Sequence, residues 1–85
     1  MKVFSGSATI TNGVVRWNFD SPFSTILGAV AVTYGTSPVT LTGVKVNTMN
    51  QSYVDFFVNY IESGSSAIKY VTSGTVILYA IAYGV

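Results

Sequence analysis

Cysteine and histidine are both missing from this chain, and its acids are only three, Asp20, Asp55 and Glu62. Without cysteine no disulfide can brace the fold. Without thiolate or imidazole ligands a structural zinc site has nothing to hold it. A calcium loop needs a dense run of oxygen ligands with several acids, and none exists. The usual base beside a serine or threonine nucleophile is also missing. Three dispersed acids give no reason to place a carboxylate pair in a cleft for glycoside hydrolysis. The glycines are scattered as turn and bend residues, so no phosphate-cradling loop opens a helix. The expectation is a protein with no catalytic residues, no metal and no cofactor, which is to say not an enzyme.

Charge is scarce as well. Charged residues are 8% of the chain, against the roughly 25% usual for a soluble domain. Lys2, Arg16, Lys45 and Lys69 are spread along the sequence and form no patch. A nucleic-acid backbone is therefore not an expected partner. The most apolar stretch, Val76 to Val85, is too short to cross a bilayer as a helix, so membrane insertion is not expected either. The start lacks the basic region, apolar run and cleavage site of a secretory signal.

Eighty-five residues make one domain, 1–85, with a modest core. With disulfides and metals excluded, self-association is the remaining common way to stabilise so small a fold. A hydrophobic content of 49% beside so little charge points the same way, because part of the surface would be hidden against another chain. Polarity comes instead from Ser, Thr and Asn, as on a rigid extracellular or virion surface.

What is present is strand-and-turn chemistry. Val, Ile, Thr, Tyr and Phe dominate, interrupted by Gly and Ser-Gly steps. Thr9 to Thr11 reads as a first strand, and Asn12-Gly13 is the best hairpin signal. Val14 to Phe19 alternates, with Val15, Trp17 and Phe19 sharing a face. Further strands are expected over Leu27 to Tyr34, Thr40 to Asn47, Tyr53 to Ile61, Ile68 to Val71 and Thr75 to Tyr83. Turns fall at Gly35 to Pro38 and Ser73-Gly74, a polar connection at Met49 to Ser52, and a loop at Glu62 to Ser66.

On the third strand, Val30, Val32 and Tyr34 form the face with larger side chains. A phase change near Thr42-Gly43 predicts a bulge in the fourth. In the fifth, Val54, Phe56, Val58 and Tyr60 share one face and Tyr53, Asp55, Phe57 and Asn59 the other. The fold class is all-β, a small antiparallel β-sandwich of six or seven strands, with a small barrel as the competing architecture.

Aromatic residues divide into two groups. Trp17, Phe19, Phe23 and Phe56 are read as core. The six tyrosines cannot all be buried without partners for their hydroxyls, which places some at a subunit interface or on a recognition surface. Asn47, Asn50 and Gln51 read as an ordinary polar connection rather than an ion or sugar site.

The segments GSATITNG, VRWNFDSPFS, GAVAVTY, LTGVKVNTMNQSYVDFFVNY and VILYAIAYG follow one another in an order that resembles the H-type lectin-like domains. These occur in invertebrate agglutinins and at the carboxyl end of phage tail-fibre proteins. The resemblance runs from Gly6 to Gly84. It implies a six-stranded antiparallel sandwich assembled as a homotrimer, with sugar held at subunit boundaries by polar and aromatic side chains. Gly28 stands where the family commonly has proline, Tyr79 stands in place of a tryptophan of the last strand, and the histidine of some lectin sites has no counterpart.

These departures turn the expectation toward a viral fibre or spike module located on the virion. It would trimerise the tip and contact a host surface. The last strand would face its own core on one side and neighbouring chains on the other, with Val76, Leu78, Tyr79, Ile81 and Tyr83 as the packed residues. Two other functions stay open: a carbohydrate-binding lectin using Arg16, Asp55, Asn59 and a nearby tyrosine, Tyr53, against a host glycan, and a ligand-free trimerisation cap.

Overall fold

The computed structural model describes residues 1–34, 40–61, 64 and 66–85. Seven strands and no helix occur among them: β1 (Lys2–Ile10), β2 (Val15–Asn18), β3 (Ile26–Tyr34), β4 (Thr40–Met49), β5 (Tyr53–Ile61), β6 (Ile68–Tyr70) and β7 (Gly74–Gly84). They form two antiparallel sheets. The first has the order β1-β7-β3; in the second β5 is central, with β4 on one side and β2 and β6 sharing the other. That sharing is possible because β2 pairs with Tyr53 to Phe56 while β6 pairs with Asn59 to Ile61.

One apolar core joins the sheets. Ala8, Ile10, Leu78, Ala80 and Ala82 come from the first sheet, and Val15, Trp17, Val54, Phe56 and Val58 from the second. Small residues of one sheet thus meet the large ones of the other, as close packing requires. Phe4, Trp17, Phe19 and Phe23 form a row of rings at one side, with successive centroids 6.0, 5.0 and 5.2 Å apart. The expected core aromatics are all in or against this cluster.

Two sequence expectations change. The first strand begins at Lys2 rather than Thr9, and reaches back along β7 with no break in register. Gly6, at φ +134°, sits inside it and interrupts the apolar alternation that would have revealed its length. The Asn12-Gly13 turn is present, with both residues left-handed at φ 52° and 81°, and Thr11 and Val14 exchange two backbone hydrogen bonds across it. It does not continue as a two-stranded ladder, because β1 joins the first sheet and β2 the second. The turn is the corner between the layers.

β3 has one face of small and one of larger side chains, as expected. Ala29 and Ala31 turn toward the core, while Val30 and Val32 point outward, 60% and 63% exposed. The expected bulge of β4 appears as a register shift between Leu41 and Gly43, and a second shift lies between Val46 and Thr48. The turn expected at Gly35 to Pro38 lies outside the described residues, as do residues 62, 63 and 65 of the Glu62 to Ser66 loop.

Candidate functional site

Strand alternation sorts β7 into two sets. Leu78 is fully buried in the chain's own core, and Val76 packs against that core. Neither reaches the outer face, which corrects their assignment to a subunit interface: even-numbered positions of β7 point inward. Tyr79, Ile81 and Tyr83 do point outward. They are joined there by Ile77 on the same strand and by Val3, Val30 and Val32 on its two neighbours, all exposed. The register sets Val3 and Val30 on either side of Ile81, and Val32 beside Tyr79.

The result is an apolar patch on the outer face of the first sheet, bordered on β1 by the exposed Ser5, Ser7 and Thr9. A groove of about 280 Å³ lies there, its lining including Val3, Val30, Val32, Tyr79 and Ile81. Tyr83 lies across Gly28, where a Cβ would overlap its ring. The missing side chain at Gly28 is what lets that ring settle on the sheet. The sequence marked Tyr79, Ile81 and Tyr83 of this face but not Val3, Val30, Val32 or Ile77. Period-two alternation in β3 and β7 was the available signal, but with both faces apolar it did not say which side is in.

The second sheet has a different outward side. Arg16 and Asp55 are opposite each other in the β2–β5 register, and they pair in bidentate fashion: Nε donates to Oδ1 at 2.8 Å and Nη2 to Oδ2 at 2.9 Å. The guanidinium carbon stands 3.9 Å from the centroid of the Tyr53 ring. Hydrogen bonding to Asp55 holds the Arg16 pKa above its ordinary value, so it is charged throughout the accessible range. Asp55 is 5% exposed, and Arg16 engages both of its oxygens. The carboxylate is committed to a structural ion pair, while the half-exposed guanidinium and the Tyr53 ring remain partly open.

Of the residues expected in a shallow site, Arg16, Asp55 and Tyr53 are therefore brought together. Asn59 shares their face but is four residues along the strand from Asp55, about 13 Å at the usual rise. Phe57 lies between them, its ring 5.5 Å from that of Tyr70. Among the described residues no group of three His, Cys, Asp or Glu could hold a metal ion.

At the seam between the sheets, sequence reading missed a polar cleft of about 440 Å³ lined by Met1, Lys2, Val3, Trp17, Asn18 and Asp20. Lys2 donates to Asp20 Oδ1 at 2.7 Å and to the Ser21 hydroxyl oxygen at 3.1 Å. The bond from Lys2, followed by one from the Ser21 N–H, lowers the Asp20 pKa below the ordinary carboxylate value. A depressed folded-state pKa means this contact is complete above the ordinary carboxylate range and is lost as pH falls through the lowered value. Carboxyl NMR should give an Asp20 midpoint that moves up toward the ordinary value in Lys2→Ala; an unchanged midpoint would contradict the pairing.

The fold and its faces define an all-β domain of two antiparallel sheets with one apolar and one mixed outer surface. Comparison of the chain with protein-family models, with curated proteins and with solved structures finds no match.

Proposed function

We propose that this protein is a non-enzymatic assembly and adhesion module, of the kind carried at the tip of a viral fibre or spike. Three copies turn the outer face of their β1-β7-β3 sheets toward a common axis. The opposite sheet, with Arg16, Tyr53, Phe57 and Tyr70, is left outward for contact with a host surface. The observation that carries this reading is the apolar outer face.

Its seven outward side chains expose on the order of 600 Å², at the top of the range for the largest patch of a monomer. Among the described residues the face holds no charged side chain, so neighbouring copies can cover it without stranding an ion. A glycan-binding reading has its own support in the convergence of Arg16 and Tyr53 on an exposed surface.

Native mass measurement over a range of concentrations tests the assembly. The expected particle contains three 9.0 kDa chains and persists on dilution. Ile81→Lys, placing a charge on the outer face of β7, should abolish it while leaving the β-sheet circular dichroism unchanged. A wild-type chain that never associates in threes would overturn the three-fold reading. Saturable sugar binding lost in Arg16→Ala would favour the lectin reading.

A further inference from the structure

We propose that β1 also docks edge to edge with β1 of a second copy, antiparallel about a two-fold axis through Gly6. This contact is separate from the apolar face, and joins three-chain particles in pairs. β1 pairs with β7 on one side only, and among the described residues no other backbone hydrogen bond reaches it. Alternate residues of its nine therefore present free N–H and C=O groups at the sheet edge.

Proteins ordinarily blunt such an edge with shortness, proline or charge. In the second sheet β2 and β6 are short, at four and three residues. β1 has neither proline nor shortness, and its single charge, Lys2, sits at the extreme end and is engaged by Asp20.

Its sequence is also fitted to pair with itself. With Gly6 opposite Gly6, Ser5 meets Ser7, Phe4 meets Ala8, Val3 meets Thr9 and Lys2 meets Ile10. Every pair joins residues of like parity, so the core-facing side chains of both copies stay on the same side of the continuous sheet. The axis crosses a residue with no side chain. The two lysines stand at opposite ends, about 27 Å apart along nine residues, and do not repel at contact. Opposite Lys2 the partner strand reaches Ile10 and turns at Thr11 to Val14, and the open cleft beside Lys2, Trp17 and Asn18 provides room for that turn.

The test uses the Ile81→Lys chain, in which the face contact is disabled. It should form a dimer at high concentration, and outward-facing β1 amides around Gly6 should exchange at least 10-fold more slowly than on dilution. Adding Ser5→Lys and Ser7→Lys, at two exposed positions, places like charges opposite each other in both halves of the contact. That chain should be monomeric with unchanged circular dichroism.

An Ile81→Lys chain that stays monomeric, or a dimer whose β1 amides exchange at the dilute rate, overturns the edge contact. A wild-type trimer would survive either result, so the two proposals fail separately. A wild-type dimer that persists in Ile81→Lys with protected β1 amides would keep the edge contact and remove the three-fold one.

Discussion

Truncation of Leu78 to alanine is expected to lower the unfolding free energy by about 3 to 5 kcal/mol, the range for a buried leucine whose cavity cannot collapse. The side chain is fully buried, among the largest with almost no exposure, and packs in the cluster that contains Phe56 and Val58. A chain of 85 residues has a total stability of only about 4 to 13 kcal/mol. At the low end of that range the loss would unfold much of the population at 37 °C.

Tyr79, its neighbour in sequence, is 47% exposed on the opposite face. Tyr79→Ala should leave the stability of the isolated chain within about 1 kcal/mol, as surface substitutions usually do. Its loss should appear instead as weaker association. Urea denaturation at two protein concentrations separates these effects. The Leu78 loss is present at both, whereas the Tyr79 loss grows with concentration, because only association obeys mass action. Equal, concentration-independent losses for the two substitutions would contradict the inside-outside assignment of β7.

The contrast between these neighbours shows what was readable in the residues. β5 was legible because its faces differ in kind: Val54, Phe56 and Val58 are buried, and the other face carries Asp55 and Asn59. In β7 both faces are apolar, so alternation alone could not assign Leu78 inward and Ile81 outward. What decides is the other layer. The bulk of Trp17 and Phe56 needs small residues opposite, and Ala80, Ala82, Ala29 and Ala31 provide them on one face only.

Part of the second-sheet site was legible for a related reason. Arg16 and Asp55 are the only opposite charges on β2 and β5, and the register places them directly opposite each other. Asn59 was grouped with them by parity, which is correct for the face and silent about distance along it. The corner at Asn12-Gly13 shows the limit of a local signal. It fixes the turn, but whether the flanking strands continue to pair depends on β7 and β5, which lie far away in sequence.

Gly84→Ala is the other substitution expected to have a large effect, about 3 kcal/mol from overpacking. For a chain of this size that corresponds to a fall of about 15 °C in Tm. The cause is contact rather than backbone conformation, since Gly84 is not among the residues with positive φ. A Cβ there would overlap the Thr25 carbonyl oxygen and stand 3.0 Å from the Ile26 Cα and 3.1 Å from the Phe23 ring.

None of these neighbours can give way cheaply. Thr25 is fixed by accepting the Val85 N–H at 2.9 Å and by donating its own N–H to the Val85 carbonyl at 2.9 Å, and Ser24 donates to the same carbonyl at 2.7 Å. Phe23 is buried against Phe19, and its N–H donates to the Gln51 carbonyl at 2.9 Å. The added methyl would therefore push the end of β7 away from the connection leading into β3. Gly28→Ala is the matched control. There the obstruction is the tip of the Tyr83 side chain, which is half exposed and free to swing outward, so a loss below about 1 kcal/mol is expected. Thermal unfolding of the two variants, with Ile81→Lys, Ser5→Lys and Ser7→Lys as a common background to remove both proposed contacts, makes the comparison. Equal shifts would mean that the Val85–Thr25 clasp yields as readily as an exposed tyrosine, and that the end of β7 is not held by the contacts described.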